Sequence, residues 1–262
     1  MKAGREMIHW STVALVVILV LPACEEPVDE SINSVGLTGG AYVRITNRQD
    51  LAQPLDTTTL AVLNNGVFSL EIRAAGDTLP AGVVALPTMF MIGNDQEGKF
   101  GVYRVPPDSS RIRVFFESRL VGSYSIPDCD WNDPDVFTQI VVTYNGASVR
   151  VYGNGRFMGS LSDTDGIDVV DSDALIGADW DVSNDVSSLG NFWYGAIDEV
   201  RLWTRVLPYE EMLFRYRNPK NLTRNYSSTG LDPLLGLWRF NVEQFDGDTV
   251  PDDSGKGNDA IL

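Results

Sequence analysis

Residues 192–212 read FWYGAIDEVRLWTRVLPYEEM, and their reading decides the fold. The stretch predicts a strand from Tyr194 to Thr204 followed by a short helix. Under regular alternation Ile197, Glu199, Arg201 and Trp203 share one face, and Ala196, Asp198, Val200 and Leu202 the other. Val200 and Leu202 are then expected in the core, with the helix or a C-terminal strand covering Trp203. Pro208 suits a first helical position, and Glu210 and Glu211 sit where the positive end of the helix dipole favours acids. Met212, Leu213 and Tyr216 form an apolar stripe able to dock on a sheet.

Outward from this stretch the pattern is β. Tyr42–Ile45, Val67–Arg73, Phe100–Val105 and Arg111–Phe116 read as strands. Phe68, Leu70 and Ile72 are expected to face the core. Asn145-Gly146 and Asn154-Gly155 each lie between alternating apolar runs, a strong short-range hairpin signal. They predict a meander of Phe137–Tyr144, Ser148–Gly153 and Arg156–Leu161. Gly177–Asn191 reads as a long loop, Leu234–Phe240 as a last strand and Asp246–Asp259 as a Gly/Asp-rich loop. Many short strands with one late helix make an all-β antiparallel sandwich rather than an α/β fold.

The stretch G-x-I-D-E-V-R-L-W-x-R-x-L-x-x-E-E-M resembles the closing signature of laminin-G-like domains in the concanavalin A-like lectin/glucanase superfamily. FTQIVVTYNGASVRVYGNG, residues 137–155, is similar to a second family segment, with Phe137 in place of its Trp and Gln139 in place of its His. LWRF (237–240) and DDSGKGN (252–258) resemble its W-x-F and D-x-S-G-x-G-N segments. The resemblance implies a jelly-roll sandwich over residues 37–262. It implies less about function, because this fold hosts lectins, adhesion modules, glucanases and structural domains.

Residues 1–23 read as a targeting segment, with Lys2 and Arg5 before the apolar run Val13–Leu21. Leu21-Pro22-Ala23-Cys24 resembles a bacterial lipobox, in which the Cys24 thiol carries the lipid and the acyl chains hold the protein at a membrane. Residues 24–36 are an acidic, aperiodic tether, compatible with an outer-membrane location. With Cys24 lipidated, Cys129 has no internal partner. The chain carries 20 Lys+Arg against 36 Asp+Glu; loss of residues 1–23 removes Lys2, Arg5 and Glu6, leaving 18 against 35. So acidic a surface argues against nucleic acid as a partner.

For catalysis, glucanases of this superfamily carry two Glu flanking an Asp on one strand. Around Asp198 those places hold Ala196 and Val200, or Arg201 with one extra residue, so both Glu are missing. Retaining hydrolysis needs two carboxyls about 5 Å apart. His9, the single His, lies in the targeting segment, which excludes a Ser–His pair or a His-ligated zinc. No catalytic residue is assigned. Many laminin-G-like domains bind calcium, and by resemblance Asp252 and Asn258, with Asp198 beside them, are the positions for a structural calcium ion; alternatively Asp252 and Asn258 hydrogen-bond their own loop. Trp131, Trp180, Trp193 and Tyr194, in or beside Asp- and Asn-rich loops, are the candidates for stacking on a sugar; the alternative is packing beneath those loops. The expected function is a lipid-anchored envelope module binding a carbohydrate or a surface partner. The alternatives are a structural or adhesive envelope protein, or a glycoside hydrolase.

Overall fold

The structure is a computed structural model and describes residues 35–37, 43–45, 63, 66–81, 86–93, 99–167, 174–180, 189–221, 233–240 and 248–261. The first strands are β1 (Val35–Leu37), β2 (Val43–Ile45), β3 (Phe68–Gly76), β4 (Thr88–Ile92), β5 (Phe100–Arg104) and β6 (Arg111–Phe116). Then come β7 (Arg119–Ser125), β8 (Thr138–Tyr144), β9 (Ser148–Gly153), β10 (Arg156–Ser162), β11 (Ala174–Ile176), β12 (Asp179–Trp180) and β13 (Leu189–Gly190). The chain ends with β14 (Gly195–Trp203), the helix α1 (Tyr209–Arg217), β15 (Leu234–Trp238), β16 (Thr249–Val250) and β17 (Ala260–Ile261).

Two antiparallel sheets make the sandwich. One has seven strands in the order β1-β14-β3-β8-β9-β10, with β15 also paired to β14; the other has eight, β16-β17-β2-β11-β4-β5-β6-β7. This is the jelly-roll expected from the sequence. The C-terminal segment contributes to both sheets, β15 against β14 and β17 against β2, so it closes this sandwich. The compact unit runs from Asn33 to Leu262, and Val35–Leu37 pairs with Gly195–Ile197. The sandwich therefore starts upstream of residue 37, inside the stretch read as tether. The region read as a loop, Gly177–Asn191, contains the two-stranded ribbon β12–β13.

The predicted meander is present as β8, β9 and β10. Asn154 and Gly155 both adopt positive φ, 48° and 69°, as a two-residue hairpin matched to the strand twist requires. At the other turn the Asn145 side chain accepts the Ala147 and Ser148 amides at 3.0 and 2.8 Å. Between the sheets Leu70, Ile72, Ile140, Val142, Val102 and Val114 are fully buried, each contributing about 1.5–3 kcal/mol by leaving water. Phe68 and Phe100 meet edge-on at 5.5 Å, and Phe116 lies 5.0 Å from Tyr144.

Strand β14 departs from regular alternation. Asp198 pairs with Arg73 but Arg201 with Glu71, so β14 holds one extra residue, and Glu199 has φ 50°. This bulge resets the alternation. Ile197, Val200 and Leu202 all join the inter-sheet core, which corrects the grouping of Ile197 with Arg201 and Trp203. Trp203 packs on the outside against Leu207, Met212, Leu234 and Leu237, so helix and C-terminal strand together cover it. In α1 the buried positions are Met212 and Arg215, and Tyr216 is exposed; the stripe expected of Met212, Leu213 and Tyr216 is thus half replaced by a cation. Pro208 caps the helix from outside, its carbonyl accepting the Met212 amide at 3.2 Å.

Candidate functional site

Beneath α1, on the outer face of the seven-stranded sheet, strand positions that point away from the core carry charges. Glu71 on β3 is the hub. One oxygen accepts the Gln139 amide at 2.6 Å and lies 3.2 Å from Arg201 Nη1; the other accepts from Arg215 Nε at 2.6 Å. Arg201 also contacts Glu199 and the Pro219 carbonyl. Arg215 lies 3.3 Å from Glu211, which holds Arg205 at 3.1 and 2.6 Å. The guanidiniums of Arg205 and Arg215 lie 4.9 and 5.1 Å from the Trp203 ring centre, where a cation is drawn to the ring's negative face. Three strands and the helix are joined by this network. A cleft opens beside it, lined by Arg73, Gln139, Arg201, Arg215, Phe137 and Tyr216 together with Glu71 and Pro219.

Asp198 is 4% exposed and accepts the backbone N–H of Glu199 at 2.8 Å. Burial pushes its carboxyl up to about 7, and the adjacent Glu199 charge adds to the rise. Glu71 and Glu199 both pair with Arg201. Neither is left unpaired to serve Asp198 as the second carboxyl of a hydrolytic pair.

The residues singled out in the sequence are dispersed. Trp131 and Trp193 are fully buried, meeting edge-on at 5.6 Å within the core; their faces are not offered to a ligand, which corrects their assignment to a sugar site. Packing under the loops decides this: a Cβ at Gly76 would come 2.3 Å from the Trp131 carbonyl oxygen. Trp180 pairs through its backbone with Leu189. Tyr194 is half-buried, its carbonyl accepting the Asp77 amide at 2.9 Å. Asp252 accepts from the amides of Leu237, Ser254 and Asn258 at 2.9, 2.9 and 3.0 Å and from the Ser254 hydroxyl at 2.7 Å. Asn258 donates its amide to the Leu235 carbonyl at 2.7 Å. These two residues therefore clasp their own loop to β15, instead of presenting free oxygens to a cation. Asp198 accepts the amide of its own strand neighbour Glu199. Among the described residues no three His, Cys, Asp or Glu are grouped to hold a metal. Cys24 lies outside the described residues.

A surface that the sequence reading missed lies on the outer face of the eight-stranded sheet. Phe100 and Val102 point into the core, so Lys99, Gly101 and Tyr103 share the outer face; on β6 the same holds for Arg113 and Phe115. The Tyr103 ring lies over Gly101, where a Cβ would come 2.4 Å from the phenol oxygen. Phe115 stands edge-on to Tyr103 at 5.6 Å, and Lys99 Nζ is 5.4 Å from the Tyr103 ring centre and 2.8 Å from Asp179. Phe115 and Arg113 remain partly open, and Arg113 Nε has no acceptor among the described residues. The signal available in the sequence was the Lys-x-Gly-x-Tyr alternation at residues 99–103, on a strand whose other face is apolar.

Similarity to known proteins agrees with this architecture. Among solved structures, a proposed carbohydrate-binding protein of Bacteroides ovatus ATCC 8483 superposes with a TM-score of 0.56 at 12% identity, over 87% of this chain and 58% of that one. The present chain thus spans little more than half of that relative. The CBM40 of Ruminococcus gnavus IT-sialidase superposes with a TM-score of 0.51 at 12% identity, over 69% of this chain and 95% of that one. The same module bound to α2,3-sialyllactose gives 0.50 at 12% identity with the same coverage. Comparison with curated proteins gives no match. A laminin-G-like family model, described as concanavalin A-like lectin/glucanases superfamily, matches residues 37–212. With two sheets, the bulged closing strand and the docked helix in place, the chain belongs to the concanavalin A-like lectin/glucanases superfamily.

Proposed function

We propose that this protein is a carbohydrate-binding module held at a bacterial envelope membrane by lipid on Cys24, and that it binds its ligand without cleaving it. The site is the outer face of the eight-stranded sheet around Phe115, Arg113 and Tyr103. The observation that carries this reading is the partly open Phe115 ring, edge-on to Tyr103 and sharing its outer sheet face with the partly open Arg113 side chain. A pyranose presents C–H faces that pack on aromatic rings and hydroxyls that need donors. The carbohydrate-binding relatives of the same fold support it. So does the pairing of both Glu71 and Glu199 with arginine, which denies Asp198 a catalytic partner at the position where glucanases of the superfamily keep theirs.

The test is a glycan array on the purified protein, followed by calorimetry on any ligand found. Phe115→Ala and Arg113→Gln should each weaken binding by about tenfold or more, the worth of one good hydrogen bond or stacking contact, while leaving the melting temperature near that of the parent. Incubation with laminarin, xylan or agar should yield no new reducing ends. Sugar release abolished by mutating a single Asp or Glu would replace the binding module with a hydrolase. Cys24→Ala should move the protein out of the membrane fraction, and unchanged partition would remove the anchor from the proposal.

A further inference from the structure

Two hairpins of the sandwich are written in nearly the same sequence. Residues 111–125 read RIRVFFESRLVGSYS and residues 148–162 read SVRVYGNGRFMGSLS. Aligned without a gap, they share Arg-Val and then Arg-x-x-Gly-Ser-x-Ser. The first is β6–β7, at an edge of the eight-stranded sheet; the second is β9–β10, at an edge of the seven-stranded one. Their turns agree, with positive φ at Glu117 and Ser118 (50° and 56°) as at Asn154 and Gly155 (48° and 69°). Their registers agree as well. Phe115 pairs with Leu120 and Tyr152 with Phe157, Arg113 with Ser123 and Arg150 with Ser160, and the pairing skips Val121 and Met158 alike.

Part of this repetition serves closure. Val114 and Val151 both fill the inter-sheet core. The glycines recur because one ring covers both: a Cβ on Gly122 would come 2.2 Å from the Tyr124 hydroxyl oxygen, and one on Gly159 would come 2.7 Å from the same ring. Arg119 and Arg156 pair with Asp163 and Asp128. The rest of the repeat points outward and closes nothing. Val149 and Val151 face the core, so Arg150 and Tyr152 face out, as Arg113 and Phe115 do on the other sheet. Neither Arg113 nor Arg150 makes an ion pair among the described residues, and Arg150 and Ser160 are exposed. Phe157 is 57% exposed and stands edge-on to Tyr152 at 5.6 Å, the separation between Phe115 and Tyr103.

We propose that Arg150, Tyr152 and Phe157 form a second glycan-binding face, equivalent to the Phe115 face and turned to the other side of the sandwich. The proposal rests on the function assigned to the Phe115 face and extends it from one site to two. A pyranose packs its C–H face on Phe157 and Tyr152 and offers its hydroxyls to Arg150 and Ser160. Open rings beside one unpaired cation make a platform without a pocket, which suits the successive units of a polymer. Two sheets stacked about 10 Å apart look in opposite directions, so one straight glycan chain does not lie on both faces. The module therefore joins two polysaccharide strands, and its hold on a polymer exceeds its hold on a fragment by avidity.

Calorimetry of the full chain with xylohexaose, laminarihexaose and agarohexaose counts the sites. The parent should take two equivalents of the hexasaccharide it binds, Phe115→Ala one, Phe157→Ala one and the double variant none. Phe157→Ala removes an exposed ring, so its melting temperature should stay at that of the parent. With the matching polymer the parent should raise turbidity by cross-linking, whereas either single variant should bind about tenfold or more weaker and leave the solution clear. One equivalent in the parent, lost in Phe115→Ala and kept in Phe157→Ala, would overturn the second face and leave the first standing. One equivalent lost only in Phe157→Ala would overturn the two-site assignment from the other side. Binding of none of the three hexasaccharides would overturn both faces.

Discussion

Replacing Glu71 by Gln tests whether the charged network beneath α1 is what fastens the helix. The side chain is 1% exposed, and the two arginines it holds, Arg201 and Arg215, are 2% and 1% exposed. Gln keeps the volume and one acceptor but removes the charge. Arg201 retains Glu199, whereas Arg215 loses its 2.6 Å carboxylate partner and keeps Glu211 at 3.3 Å, a carboxylate that also serves Arg205. A buried guanidinium stripped of its counter-charge costs about 3–5 kcal/mol. Because desolvation is already incurred by both partners, the ion pair itself is not expected to outdo an apolar pair. Glu71→Leu combined with Arg215→Met should therefore recover most of the loss. Urea titration at pH 7 of the two single variants and the double variant gives the coupling directly. A loss below about 1 kcal/mol for Glu71→Gln, or a double variant no better than the sum of its parts, would show that solvent already screens the pair and that α1 is held by Trp203 and Met212 alone.

Three further outcomes follow from single side chains. Asp198 keeps its proton to about 7 when folded but loses it near 3.8 when unfolded. The folded state binds more protons in that window, so stability falls as pH rises from about 4 to 7, by at most about 4 kcal/mol. Asp198→Asn should therefore gain on the parent between pH 5 and pH 8, and a pH-independent difference in urea midpoint would refute this. Leu202→Ala, at a fully enclosed site facing Leu70, should cost about 2–5 kcal/mol in the same titration; a cost under about 1 kcal/mol would place Leu202 outside the core. Burial pushes the Cys129 thiol up to about 11, so a disulfide reagent at pH 8 should label it slowly in buffer and rapidly in urea. Equal rates would mean an open thiol.

The sheet architecture was legible because it rests on short-range rules. Asn154-Gly155 fixes a hairpin whatever surrounds it, and the alternation of Phe68, Leu70 and Ile72 states which side is wet. What could not be read locally was the bulge at Glu199. No residue type demands it there, and its effect, turning Ile197 inward with Val200, depends on pairing with β3 more than a hundred positions earlier in the chain. The aromatic candidates failed for a related reason. A Trp in a polar loop carries no local sign of whether that loop folds over it, and Trp131 and Trp193 are covered by each other. The Arg113–Phe115 surface was hidden in the opposite way, as ordinary alternation on one strand whose importance comes from its neighbours Tyr103 and Lys99 on the next.

The closing signature itself bears on where specificity resides. Within residues 197–203 every side chain has a structural duty: Ile197, Val200 and Leu202 fill the core, and Glu199 and Arg201 extend the network around Glu71. Trp203 lies under α1 between two guanidiniums, and Asp198 receives its neighbour's amide. A stretch so occupied can be kept while the ligand changes, since each of its side chains is committed to the fold. Discrimination between ligands must then come from residues that the sandwich does not need for closure. Arg113 and Phe115 meet that condition: both are partly open and neither belongs to the inter-sheet core. The same signature can therefore accompany domains of different specificity, because it specifies how the helix is fastened and leaves the two outer faces free to vary.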